Sequence, residues 1–248
     1  MARSVGVFGG VSESRIRRQM CDIGRRLWQR QFCAGNDGNH SVRVGRNRVL
    51  VTPTGLSKGF MKPGDICVVD MEGMQLSGQR RRTSEILMHL TIFQERPDVR
   101  AVIHTHPPHA TAFAIAGIGL PSGVYPEADY LLGPVRTAPY VMPGDQRLGD
   151  AIRPLVKDAT TIILQNHGVV CFGADLEKCC YNMEAVDAYA RILMLVKQIG
   201  SVRALTDEEM SELLTVKVRN GLADPRLVNG RFVGERSEGF FKGCAKKR

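Results

Sequence analysis

Residues 99–109 read VRAVIHTHPPH, and the fold turns on how this stretch is parsed. Val99 to His106 are rich in β-branched residues and read as a strand. Pro107 and Pro108 end it. They suit the first turn of a helix running through Ala116, where a missing N–H costs nothing. Strand followed directly by helix points to a mixed α and β domain. Three of the chain's six histidines, His104, His106 and His109, sit here. Side chains alternate along a strand, so His104 and His106 share a face and can aim two imidazoles at one point. His109 belongs to the helix beyond. A pair spaced in this way is also compatible with two histidines merely hydrogen-bonded at a strand end.

Toward the N-terminus, Ile16, Met20, Ile23, Leu27 and Trp28 recur at helical spacing, which predicts an amphipathic helix from Ser14 with arginines on its solvated face. AGNDGNHSVRV is a turn-rich loop entering a strand, and VGRNRVLVT is a hairpin with Arg46 and Asn47 at its tip. TPTGLSKG and KPGD are loops, ICVVD is a buried strand, and Ser84 is placed to cap a helix ending near Gln94. Toward the C-terminus, a Gly- and Pro-rich loop to Asp145 precedes a helix at 146–157. TTIILQ and GVVCF follow as two strands broken at NHG. Helices are expected over 175–199 and 207–218. No linker divides the chain and no repeat is present. Residues 1–13 read as a flexible leader, 14–218 as one domain, and 219–248 as a basic, Gly-rich, mobile tail.

Composition sets limits. The chain has 248 residues, 43% of them apolar, enough for a sizeable core. It lacks an apolar run of about eighteen residues and the marks of a secretory signal, so a cytoplasmic protein is expected. The seven cysteines have no CxxC spacing and read as reduced, packed thiols. The net charge of +9 comes largely from the first helix, Arg80 to Arg82 and the terminal KGCAKKR. Aromatics are only 6% and are not interleaved with basic residues, unlike a nucleic-acid platform. An anionic small substrate accounts for the charge equally well.

His167, in QNHG, is a third nitrogen between two strand-like segments. Two close histidines and one distant one have the layout of a catalytic zinc site with an open position. GNDGNHS, TPTG and TSE are loops of Gly, Asn, Ser and Thr that present N–H groups and hydroxyls suited to phosphate, although turns use the same residues. Glu85 follows TS at a helix start, where the helix dipole favours a carboxylate and where a general base can stand near a metal.

Together, GNHSVRV, TPTGLSKG, TSEILMHL, AVIHTHPPHATAFA and LQNHGVV, in this order over residues 14–218, resemble the class II aldolase/adducin family and, within it, zinc-dependent L-fuculose-1-phosphate aldolases. The resemblance implies a single three-layer α/β/α domain around a mostly antiparallel sheet, assembled as a homotetramer with active sites at subunit interfaces. It implies one Zn2+ per chain on His104, His106 and His167. Glu85 would ligate zinc at rest and serve as acid/base. Gly38, Asn39, Thr54, Gly55, Thr83 and Ser84 would hold the substrate phosphate, and Tyr125 would donate a proton at a neighbouring site. His89 and His109 are not expected ligands, and His40 lines the phosphate loop. Thr83 stands where the aldolases often carry Ser, and PYVMPGDQRLGD (139–150) departs from them. The implied reaction is retro-aldol cleavage of a ketose phosphate to dihydroxyacetone phosphate and an aldehyde. The alternatives are a sugar-acid phosphate decarboxylase, a pentulose-phosphate 4-epimerase, or a non-catalytic adducin-like interaction module. Epimerases of the family carry Asp at the acidic position, so Glu85 favours aldolase or decarboxylase.

Overall fold

Neighbouring residues of a strand point to opposite faces, and here both faces are apolar. Leu50, Val68, Ile103 and Ile163 enter one core, while Val49, Val51, Val69, Val102 and Ile162 enter a second. A sheet apolar on both sides needs a helical layer on each.

The structure, a computed structural model, describes residues 7–8 and 11–234. A short ladder, β1 (Val7–Phe8) and β2 (Val11–Ser12), precedes helix α1 (Glu13–Gln29). A hairpin of β3 (Asn39–Gly45) and β4 (Arg48–Val51) leads to β5 (Cys67–Val69) and β6 (Gln75–Ser77). Helix α2 (Ile86–Glu95), strand β7 (Ala101–Thr105) and helix α3 (Pro108–Ala116) follow. Next come α4 (Pro126–Leu132), β8 (Val135–Ala138), α5 (Gln146–Ile152), β9 (Thr161–Leu164) and β10 (Gly168–Gly173). Helices α6 (Leu176–Ile199) and α7 (Asp207–Arg219) precede a hairpin of β11 (Leu227–Val228) and β12 (Arg231–Phe232).

Among the described residues, one eight-stranded sheet has the order β6-β5-β4-β3-β7-β10-β9-β8. It is antiparallel except for the edge pair β8 and β9. Helices α1, α3, α4 and α6 cover one face, and α2 and α5 the other. The protein is a three-layer α/β/α sandwich. No helix among the described residues is long and apolar enough to cross a membrane. The six described cysteines are free and buried, while Cys244 lies outside the described residues.

The sequence reading and the structure differ in several places. The loop expected up to Asp145 contains α4 and β8. Pro126 presets the first helical turn, and Gly133 follows the last at φ 67. Strand β6 was missed because all its residues are exposed, leaving no apolar alternation. Ser84 does not cap α2. Glu85 occupies that position, and its own N–H donates to Thr83 Oγ1 at 3.4 Å. The arginines of α1 are not all solvated: Arg17 pairs with Glu13, and Arg26 with Glu177.

Residues 220–234 also depart from a mobile tail, whereas 235–248 lie outside the described residues. The buried Arg226 guanidinium donates to both Asp224 carboxylate oxygens, at 2.9 and 2.8 Å, and to Asp129 on α4. Lys217 on α7 donates to Asp224 at 2.8 Å. This charge cluster ties the segment to two helices. Removing one member of a buried cluster strands its partners in low dielectric. Arg226→Met is therefore expected to lower the unfolding free energy by about 3–5 kcal/mol in urea melts. A loss below about 1 kcal/mol would mean that the cluster does not hold the segment.

His40 does not line a loop. It is fully buried on the α1 side of the sheet, with Nε2 2.8 Å from the Met20 carbonyl. Burial pushes its pKa down to about 4. The unfolded chain, with a value near 6.5, then binds the extra proton first, so stability falls as pH drops from about 6.5 toward 4. The cost is on the order of 3 kcal/mol across that window. Denaturant midpoints measured from pH 7 to 4 should fall accordingly, and His40→Gln should flatten the slope. An unchanged slope in the variant would assign the acid sensitivity elsewhere.

Candidate metal centre

Strand β7 is paired on both edges, with Asn39 of β3 and Val170 of β10 flanking His104. His104 is therefore fully buried. Its Nδ1 donates to the Val169 carbonyl at 2.9 Å, which leaves Nε2 with a lone pair. His106, just past the strand, places Nδ1 3.3 Å from Asp37 Oδ2. A proton held there leaves its Nε2 with a lone pair as well. The two Nε2 atoms are 3.2 Å apart. Two facing lone pairs repel unless a cation or a proton lies between them.

His167 completes the group from the β9–β10 turn, next to Asn166 at φ 55. One ligand atom from each of the three histidines lies within 4.8 Å of the others. Gly168 makes room for them: a Cβ there would stand 2.5 Å from His106 Cδ2 and 2.6 Å from the Thr105 carbonyl oxygen. Burial, with the neighbouring imidazoles, holds His104 well below its usual pKa and brings His167 down to about 4. His104 and His167 are thus suited to bind as neutral ligands near neutral pH.

Glu85 closes the site from the start of α2. Its Oε2 lies 3.5 Å from His104 Nε2 and its Oε1 3.4 Å from His167 Nε2. Oε1 is buried with no hydrogen-bond partner. Burial raises the carboxyl's pKa against the opposing hydrogen bond from Asn39. Three imidazole nitrogens and an orphaned carboxylate oxygen are the donor set of a tetrahedral zinc-type site, so the residues fit a divalent ion.

The candidate phosphate loops meet beside this cluster. The Thr83 N–H donates to the Thr52 carbonyl at 3.1 Å, and the Thr54 N–H to the Arg81 carbonyl at 3.0 Å, which joins 52–55 to 81–84. Thr54, Gly55 and Ser84 are exposed, and Gly38 is half-buried. Gly38 (φ 73) and Gly55 (φ 69) both need positive-φ backbone. The Asn39 side chain turns instead to Glu85, donating at 2.7 Å.

Lys58, missed in the sequence, is fully buried and ties two of these loops together. Its ammonium donates to the Asn36 carbonyl at 2.8 Å and to the Leu56 carbonyl at 2.6 Å. Arg80 and Arg82 are committed locally, to Asp65 and to the Gly73 and Thr83 carbonyls. His109 binds Asp187 of α6 at 2.9 Å, and that carboxylate also accepts the His109 and Ala110 N–H groups at the start of α3. Tyr125 packs with the α6 core, stacked on Tyr189 at 6.0 Å, and has no described contact with the histidines.

The profile of the family described as "Class II Aldolase and Adducin N-terminal domain" matches residues 18–194. A 3-oxo-tetronate 4-phosphate decarboxylase of Haemophilus influenzae is 32% identical over 198 residues, 78% of this chain and 93% of that protein. An L-fuculose phosphate aldolase of Methanococcus maripaludis is 34% identical over 177 residues, 71% of this chain and 95% of that protein. A solved L-fuculose 1-phosphate aldolase superposes with a TM-score of 0.75 at 29% identity, over 87% of this chain and 97% of that one. On the family match and these identities, the chain belongs to the class II aldolase and adducin N-terminal domain family.

Proposed function

We propose that this chain is a divalent-metal-dependent carbon–carbon lyase acting on a three-carbon-terminated sugar phosphate, with dihydroxyacetone phosphate as a product. The observation that carries this reading is the convergence of three imidazoles and the orphaned Glu85 Oε1 beside loops in which Thr54, Gly55 and Ser84 are exposed. His104, His106 and His167 would hold one Zn2+, with Glu85 as a fourth ligand at rest. Held there, the ion would supply Lewis acidity.

Gly38, Asn39, Thr54, Gly55, Thr83 and Ser84 line the phosphate end, where backbone N–H groups and hydroxyls orient the substrate. Glu85 moves the proton at the carbon next to the ketone. Tyr125 lies apart from the histidines of its own chain. At a neighbouring subunit of a homotetramer it would take up the hydroxyl proton as the aldehyde departs, and donate a proton to the aldehyde oxygen in the reverse, condensing direction.

The relatives support one shared step. Breaking the outer bond of the α-carbon of L-fuculose 1-phosphate releases an aldehyde. Breaking the corresponding bond of 3-oxo-tetronate 4-phosphate releases carbon dioxide. Both leave dihydroxyacetone phosphate after one proton returns to the same carbon. Retro-aldol cleavage is the first reading. Decarboxylation is the second, favoured by the decarboxylase relative.

The test is to offer zinc-loaded protein both substrates and to assay dihydroxyacetone phosphate, aldehyde and carbon dioxide. Aldehyde with dihydroxyacetone phosphate identifies the aldolase, and carbon dioxide identifies the decarboxylase. Metal-loaded protein that releases dihydroxyacetone phosphate from neither, and exchanges no hydrogen of that compound with solvent, refutes the lyase reading and favours an interaction module.

A further inference from the structure

Asn39 and Ser41 stand two residues apart on β3 and face α2. Glu85 and His89 stand four apart at the start of α2, on one helical face. The two pairs interlock. His89 Nδ1 lies 2.7 Å from Ser41 Oγ, and His89 Nε2 lies 2.7 Å from Asn39 Oδ1. Asn39 Nδ2 donates to Glu85 Oε2 at 2.7 Å. Ser41, Asn39 and His89 are all buried.

Donor arithmetic gives the chain one direction. The carboxylate of Glu85 accepts, so the Asn39 amide must turn its NH2 toward it. The amide oxygen then faces His89 and can only accept, so His89 Nε2 carries the proton. His89 Nδ1 is left as an acceptor for the Ser41 hydroxyl. Among the described residues, the bond from Asn39 is the one hydrogen bond to the Glu85 carboxylate, because Glu85 caps α2 without a side-chain bond. With Oε2 tethered, Oε1 is left facing the histidines.

We infer that His89 is a positioning residue that locks the Asn39 amide and, through it, holds the Glu85 carboxylate in one orientation toward the histidine cluster. The inference rests on the role proposed above for Glu85. His89 touches no ligand atom of that cluster, so its effect is on proton transfer rather than on capture of metal or phosphate.

The test uses full-length, zinc-loaded protein and follows hydrogen exchange at the hydroxymethyl carbon of dihydroxyacetone phosphate in D2O by NMR. His89→Leu keeps bulk and removes the donor. Turnover should fall about 10- to 100-fold, the range for loss of a partner that orients a ligand. KM for dihydroxyacetone phosphate and zinc content should stay within about twofold, because the Asn39 side chain is committed to Glu85 rather than to phosphate, and His89 bonds none of Gly38, Thr54, Gly55, Thr83, Ser84 or the three imidazoles. His89→Gln carries an N–H donor near the Nε2 position and should recover most of the turnover.

Equal losses in the two variants, or an unimpaired, zinc-loaded His89→Leu, overturn the inference. A wild-type chain inert in exchange overturns the functional reading alone. Nitrogen-15 shifts then decide the hydrogen-bond chain by themselves: a proton on His89 Nε2 supports it, and a proton on Nδ1 refutes it.

Discussion

In the His104→Ala variant, stoichiometric binding of a divalent ion is expected to be lost, and exchange of dihydroxyacetone phosphate hydrogen is expected to fall by on the order of a thousandfold or more. The size follows from the chemistry assigned to the ion. Lewis-acid stabilisation of charge developing on a carbonyl oxygen is worth several kcal/mol, and each 1.4 kcal/mol is tenfold in rate. Binding is also readable without activity. An ion that binds only the folded chain stabilises it by about 2.7 kcal/mol at a hundred times its Kd. Zinc should therefore raise the thermal midpoint of the wild type and leave that of the variant unmoved. His104 is buried and bonded to the Val169 carbonyl, so its loss also weakens the sheet centre. His167→Ala separates the two effects, since His167 sits on a turn and is 13% exposed. That variant should fold normally and still lose both the ion and the activity. A His167→Ala protein with one ion per chain and wild-type turnover would sink the assignment.

How much of this could be read from the sequence depended on the range of the signal. The β7–α3 joint was legible because Pro107 and Pro108 are local stops. The shared face of His104 and His106 follows from strand parity alone. Helix α4 and strand β8 were hidden because a segment dense in Gly and Pro looks like a loop until packing is seen. Arg226 was hidden for a different reason: its partner Asp129 lies 97 residues away, and pairing at that distance leaves no local pattern. The Ser41–His89–Asn39–Glu85 chain is intermediate. Its two spacings, two along a strand and four along a helix, are visible in the letters, but they acquire meaning only when α2 packs on the face of β3. Asn39 therefore read as part of a phosphate loop, while its side chain is committed to Glu85.

The Glu85→Gln variant should keep its metal and lose most of its turnover. Glutamine has the same shape, and its amide oxygen can accept the Asn39 hydrogen bond that Glu85 Oε2 accepts now. It cannot take up or return a proton near neutral pH. Positioned acid–base catalysis is worth about 10²- to 10⁴-fold, and a loss in that range is expected for exchange at the hydroxymethyl carbon. The three imidazoles remain, so zinc content at saturation should match the wild type, with some loss of affinity from the missing carboxylate. KM for dihydroxyacetone phosphate should move little, because the loops around Gly38, Thr54 and Thr83 are untouched. That combination of lost turnover, retained metal and steady KM separates a proton carrier from a simple ligand. A pure ligand would lose metal first and recover its turnover when zinc is added in excess. Recovery of that kind, or turnover within about tenfold of the wild type, would remove Glu85 from the chemical step and leave it only as a fourth oxygen for the ion.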